Sequence, residues 1–243
     1  MRLVFHFRWI PFFAALVAAL IGIALGNWQE RRAEEKQTIE KAMLSQQSEA
    51  VLQLNTLQGK EILPEFRRVV AAGEFIASWP VYLDNRPSHG RAGFYLLMPL
   101  RLHGSDQVVM VARGWFPRDQ AVRTKLPVIP VEPGLVRIEG VIRHTAGRVL
   151  SLGQEAPLQP GAILQNLNLA EFSRASGLTL QAHIIEQSNN TNDQLVRDWP
   201  RPSFGVDKHR GYAFQWYALA ATAFLFFVLT GFRRASKTDH THI

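Results

Sequence analysis

Two long uncharged stretches near the ends of this chain leave it few ways to fold in water. Trp9 to Gln29 is 21 residues without a charged side chain, and Gly211 to Phe232 is 22. As helices, at about 1.5 Å per residue, each covers roughly 30 Å, the thickness of a bilayer's hydrocarbon core. Aromatic residues stand where an interfacial belt places them, with Trp9 and Trp28 bounding the first stretch and Tyr212, Trp216 and Phe232 near the ends of the second. The first stretch has a competing reading as a cleaved signal peptide, because Arg2 and Arg8 precede it and Ala24-Leu25-Gly26 has the small-x-small form of a cleavage site. Its length exceeds the usual apolar region of about 7–15 residues, and the second stretch favours an anchored hairpin. Two spans put both termini on one side of the lipid bilayer. Charge does not choose the side, since Arg31, Arg32, Lys36 and Lys41 follow the first span as closely as Arg2 and Arg8 precede it.

Composition then narrows the chemistry. Cys is absent, which excludes disulfides, iron–sulfur ligation, covalent c-type haem, thiolate metal sites and a cysteine nucleophile. Residues 28–210 hold 22 basic and 19 acidic side chains, a net of +3, while the remaining excess comes from Arg2, Arg8, Arg233, Arg234 and Lys237 beside the apolar stretches. That is a membrane-flank pattern, and it points away from a nucleic-acid partner.

Between the spans, Gln29 to Leu57 is rich in Glu, Lys, Ala and Gln and reads as a helical continuation of the first span. After Pro64 the pattern changes to strands at Phe66–Phe75, Pro80–Asn85, Phe94–Leu102, Gln107–Gly114, Val136–Ile142 and Leu180–Glu186. The run FYLLMPLRL, the turn HGSD and the run QVVMVARGW form a hairpin signal. Asn168 to Ser176 reads as a short helix with Asn168 as N-cap and Gly177 as terminator. The expected fold is a membrane protein of the α+β class: two transmembrane helices flanking a mostly antiparallel, β-rich extramembrane domain with a few helices, a candidate partial barrel. Its expected divisions are tails at 1–8 and 233–243, spans at 9–29 and 211–232, and one domain at 30–210.

The chain has no Gly-x-Ser-x-Gly elbow, phosphate loop, Gly-x-Gly-x-x-Gly or His-Glu-x-x-His motif, so an enzyme is not expected. His240 and His242 sit in a polar tail, where a weak metal site competes with simple disorder. His209 lies two residues before the second span, with Tyr212 and Trp216 at i+3 and i+7 and Lys208 and Arg210 beside it. Such an imidazole can ligate a haem iron while the cations meet the propionates; the alternative is an interfacial His in a cationic anchor. Arg86, Arg113 and Trp115 stand at strand ends and turns, either fixing loops or lining a rim that meets an anionic partner.

Four groups of residues, spread over nearly the whole chain, carry a family resemblance. They are Gly26-x-Trp28 with Arg31 and Lys36; Tyr82-Leu83-Asp84-Asn85-Arg86 followed by Gly93-Phe94 and Pro99-Leu100; Val111-x-Arg113-Gly114-Trp115-x-Pro117; and His209-x-x-Tyr212-Ala213-x-x-Trp216-x-x-Leu219-Ala220. In this order and between two spans, the sequence resembles the surfeit locus protein family of cytochrome c oxidase assembly factors. The resemblance implies a protein of the bacterial inner membrane with both termini cytoplasmic and its domain periplasmic. It also implies that haem a is bound transiently and delivered to oxidase subunit I, with His209 as axial ligand; Trp28, Tyr212 and Trp216 are then expected to pack the macrocycle, and haem a synthase is a candidate further partner. A haem-free scaffold that stabilises an oxidase intermediate is the alternative. The family often has Arg-Asn-Asn before the His, where this chain has Val206-Asp207-Lys208. Only eight residues precede Trp9, short for a mitochondrial presequence and in keeping with a bacterial source.

Overall fold

The computed structural model describes residues 3–57, 62–122, 124–147, 149, 157–200 and 204–234. In chain order the elements are β1 (Leu3–Phe5), α1 (Trp9–Ser48), β2 (Leu52–Gln53), β3 (Arg68–Phe75), β4 (Val81–Leu83), β5 (Gly93–Leu102), β6 (Val108–Pro117), β7 (Val136–Arg143), β8 (Ile163–Leu164), α2 (Leu169–Ser176), β9 (Leu180–Gln187), α3 (Val206–Gly231) and β10 (Phe232–Arg234). They fall into two compact units, Met1–Ala42 with Pro202–Ile243, and Met43–Arg201.

The first unit is an antiparallel pair of helices, α1 and α3, both long and apolar enough to cross a membrane. Most of the side chains turned inward are small. On α1 the inward positions Phe12, Ala15, Ala19, Gly22, Gly26, Gln29 and Ala33 recur at alternating spacings of three and four, and on α3 His209, Ala213, Trp216, Ala220, Ala223 and Phe227 do the same. This 3.5-residue period keeps one seam of each helix facing the other along the pair. A Cβ on Gly22 would stand 2.9 Å from Ala220 Cβ and 3.0 Å from the Trp216 carbonyl oxygen, and one on Gly26 would run into the Tyr217 ring. At one end Phe12 and Phe227 meet edge-on, 5.5 Å between centroids. There β1 and β10 also pair antiparallel, from Leu3 opposite Arg234 to Phe5 opposite Phe232, so the described ends of the chain lie side by side. Ile10, Phe13, Leu20, Phe214, Phe226 and Leu229 point outward and are exposed. Small residues inside and large apolar ones outside invert the pattern of a water-soluble helix pair and suit a lipid surround.

In the second unit, five strands close on themselves. Neighbour follows neighbour in the order β3, β7, β9, β6, β5, and β5 pairs again with β3 from Gly73–Leu102 to Phe75–Leu100. The ladders are antiparallel except β6 with β9 within the ring and the two-residue additions β2 with β3 and β4 with β8. The partial barrel expected from the strand pattern is therefore a closed one, and closure removes the open edges.

Strands β5 and β6 are buried on both faces, which is why their sequences run almost without polar interruption. One face, with Leu100, Leu102, Val109 and Val111, fills the barrel with Val69, Ala71, Ile138, Ile142 and Ile185. The other, with Tyr95, Leu97, Val108 and Met110, packs under Phe172 of α2 and under Val81, Leu83 and Leu164. The turn between the strands holds Gly104 at φ 80°. Asn168 caps α2 by accepting from the backbone N–H groups of Ala170 and Glu171, and Gly177 ends it at φ 71°, as the sequence predicts.

The helical continuation expected to Leu57 stops at Ser48. Ser48 Oγ donates back to the Ser45 carbonyl at 2.8 Å, the kind of local bond by which Ser competes with helix propagation. Beyond it Leu52 pairs into β2 and Leu54, 1% exposed, enters the barrel core. Burial of these leucines outweighs the helix propensity of the segment.

Gly73 is where the barrel closes, registered to Val136 of β7 on one side and Leu102 of β5 on the other. A Cβ there would run into the Arg101 carbonyl oxygen. Gly73→Val is expected to destabilise the unit by on the order of 3 kcal/mol, read as a lowered urea midpoint by tryptophan fluorescence of the full chain in detergent; an unchanged midpoint would show that the β3–β5 closure contributes nothing.

Candidate functional site

His209 occupies a half-buried position on the α3 seam, four residues after the Gly205 that precedes the helix. Its Nδ1 lies 2.8 Å from Oε1 of Gln29, the α1 residue that follows Trp28. Two further polar contacts join the helices in the same region: Tyr217 donates its hydroxyl to Asn27 Oδ1 at 2.8 Å, and Arg210 donates Nη2 to Gln37 Oε1 at 3.1 Å with Glu30 3.8 Å away. Trp216 shares the seam with His209 and is half-buried. Tyr212 and Trp28 do not: they are 53% and 48% exposed on the outer flanks. Of the face drawn from helical spacing, Trp216 thus stays with His209, while Tyr212 turns outward because the seam advances by four residues, from 209 to 213. No ring–ring contact joins Trp28, Tyr212 and Trp216 among the described residues, and no group of three His, Asp or Glu that could hold a metal ion occurs there. The tail residues His240 and His242 lie outside the described residues.

Gln29, Asn27 and Gln37 were not legible as partners from helical spacing within one helix. The signal that finds them is the paired seam, which sets Gly22 against Ala220 and so brings Gln29 to the level of His209.

Arg86, Arg113 and Trp115 are buried inside the second unit, at 4%, 2% and 6% exposure. The β5–β6 register shifts between Leu96 and Leu97, which face Gly114 and Ala112, so Arg113 is the unpaired residue of a bulge. Its Nη2 donates to Asp193 Oδ2 at 3.0 Å and to the Pro130 carbonyl at 3.1 Å, and its guanidinium lies 4.8 Å from the centre of the Phe75 ring. Asp193 also accepts from Arg197 Nη2 at 2.6 Å and from Thr191 Oγ1 at 3.0 Å. Arg86 donates to the main-chain carbonyls of Asp84, Gly147 and Gln165 at 2.9, 3.0 and 2.9 Å, and its own carbonyl accepts from Trp115 Nε1 at 2.7 Å. These bonds tie strand ends to loops within the unit.

The family model described as the SURF1 family matches residues 16–221. The chain belongs to the SURF1 family. Among its relatives are SURF1-like proteins of Rickettsia bellii, 26% identical over 219 residues that cover 85% of each chain, and of Rickettsia conorii, 26% identical over 229 residues that cover 89% of each. A SURF1-like protein of Monosiga brevicollis is 26% identical over 158 residues, 61% of this chain and 60% of its own. The matched segment takes in the Gln29–His209 contact of the helix pair and the whole closed barrel of this SURF1 family member.

The barrel holds two titratable groups that oppose each other, His183 buried and Glu186 half-buried. His183 is 1% exposed with neither ring nitrogen bonded, and burial, reinforced by His144, pushes it down to about 4. Burial pushes Glu186 up to about 7, against the pull of Arg143 at 3.5 Å and helped by Glu65. Between pH 6.5 and about 4 the unfolded chain binds a proton on His183 that the folded chain refuses, so stability falls as pH drops. Between 4.5 and about 7 the folded chain keeps a proton on Glu186 that the unfolded chain releases, so stability falls as pH rises. Removing His183 should unmask the second trend. Relative to wild type, His183→Leu is expected to gain up to about 3 kcal/mol on going from pH 7 to pH 4, measured from urea midpoints; a difference that does not vary with pH counts against this assignment.

Proposed function

We propose that this SURF1 family member is a non-enzymatic assembly factor for a haem-copper cytochrome c oxidase, binding haem a as cargo at the α1–α3 pair and handing it to subunit I. The observation that carries the reading is the position of His209: the imidazole of an otherwise small-residue and aromatic seam, at the polar end of a helix pair built for lipid, with exposed Trp28 and Tyr212 on the flanks. The residues fit a haem. His209 supplies one strong nitrogen ligand, the Trp216 ring on the same seam supplies apolar surface for a macrocycle, and exposed Lys208 supplies a cation for a propionate. Bound haem would bring the iron and a formyl-bearing, lipophilic ring suited to an oxidase; the chain's part is to hold it and exclude water. A single protein ligand suits cargo that must leave again.

The proposed setting is a bacterial inner membrane, with α1 and α3 spanning it, both termini cytoplasmic, the barrel periplasmic, and haem a synthase as the donor. Its support is the pairing of β1 with β10 beside the outward apolar helix faces, which places both described ends together. The decisive measurement is a visible spectrum with pyridine haemochrome analysis of protein purified after co-expression with haem a synthesis. Wild type is expected to carry stoichiometric haem a, and His209→Ala to lose about tenfold or more of it. A folded but colourless wild type moves the weight to the haem-free scaffold; a fully loaded His209→Ala removes the ligand assignment.

A further inference from the structure

We infer that Gln29 is the positioning residue for His209: its amide oxygen holds the proton on Nδ1 and leaves Nε2 as the nitrogen that meets the iron. The inference rests on the haem reading above and deepens it. An amide oxygen can only accept, so a ring nitrogen 2.8 Å from Gln29 Oε1 must carry hydrogen. A neutral imidazole has one N–H; with that proton on Nδ1, the lone pair is on Nε2 and the ring presents it away from α1.

Three further observations make this contact a built one. Gln29 and His209 both sit on the helix seam, half-buried, where the backbone on each side is regular helix. The contact is bracketed along the pair by Tyr217 to Asn27 and by Arg210 to Gln37. Gly22 and Gly26 let the helices approach closely enough for a direct bond, since a Cβ at either would strike α3. A hydrogen bond from the remote N–H of a ligating imidazole fixes its tautomer and orientation and raises its basicity toward the metal. Gln29 therefore acts through His209 and does not itself touch haem.

The test has a haem-free arm and a loaded arm. In the first, the full chain labelled with 15N-histidine is placed in lipid nanodiscs without haem, and the His209 signals are assigned by their loss in His209→Ala. Wild type is expected to show a protonated Nδ1 and an unprotonated Nε2. Gln29→Leu should shift the ring toward the Nε2–H tautomer, and Gln29→Glu, which keeps the acceptor, should retain Nδ1–H. In the second arm the same proteins are titrated with ferrous haem a. Gln29→Leu is expected to weaken binding about tenfold or more and to lower the iron–histidine stretching frequency in the resonance Raman spectrum, while Gln29→Glu keeps or raises it. A wild-type ring protonated on Nε2 overturns the inference, as does a loaded protein whose tautomer and stretching frequency ignore Gln29→Leu. A colourless wild type with Nδ1–H intact instead overturns the haem reading, and with it any role of Gln29 toward haem.

Discussion

The close approach of α1 to α3 is the constraint on which the membrane unit depends. In lipid there is no hydrophobic gain from pressing two apolar helices together, because acyl chains solvate leucine as well as another helix does. What remains is van der Waals contact and a few polar bonds, both steep in distance. Gly22 supplies the first by letting its backbone meet that of Trp216 and Ala220, and Gly26 by admitting the Tyr217 ring. The polar bonds at Asn27, Gln29 and Gln37 supply the second, all toward one end. At the other end Phe5, Phe12 and Phe227 interlock through their rings. The pair is thus held by aromatic packing at one end, small-residue contact in the middle and hydrogen bonds at the other.

The barrel solves a different problem with a different device. A hairpin as apolar as β5–β6 would be an aggregation hazard if either face or edge stayed open. Closure onto β3 consumes the edge, the barrel interior takes one face, and α2, β4 and β8 cover the other. The bulge at Arg113 and Gly114 re-phases β6, so that Ala112 and Trp115 both reach the outer core although they are three apart. The cost of the bulge is a guanidinium turned inward, and Asp193, Pro130 and the Phe75 ring receive it. A buried cation of this kind stays only where each partner is fixed, which explains why Asp193 is itself tied by Arg197 and Thr191.

Local pattern carried much of this into the sequence. Six of the seven strands between Arg68 and Gln187 match runs of β-branched and aromatic residues bounded by Gly, Pro and Asn to within three residues at either end, and α2 announces both its caps. What was not legible depends on distant pairing. Two-residue strands such as β2 and β8 have no period to detect, and their existence rests on Leu52 meeting Val69 and Ile163 meeting Tyr82. Barrel closure turns on one glycine meeting a strand 29 residues further on. The inward turn of Arg113 requires an aspartate 80 residues away, and nothing in VARGW distinguishes a pinned arginine from one at a rim. At the helix pair, a single-helix wheel placed Tyr212 with His209; only the second helix reveals that the seam runs through Ala213.

On the proposed haem reading, the same geometry links ligand strength to helix spacing. His209 and Gln29 belong to different helices, so the 2.8 Å bond between them exists only while the small-residue seam is closed. A separation of about 1 Å takes such a bond outside hydrogen-bonding range, frees the ring to change tautomer, and leaves the imidazole a weaker ligand. On the proposed haem reading, capture and release of cargo then need no second ligand: the closed seam makes His209 a good ligand, and a partner that draws α1 from α3 makes it a poor one.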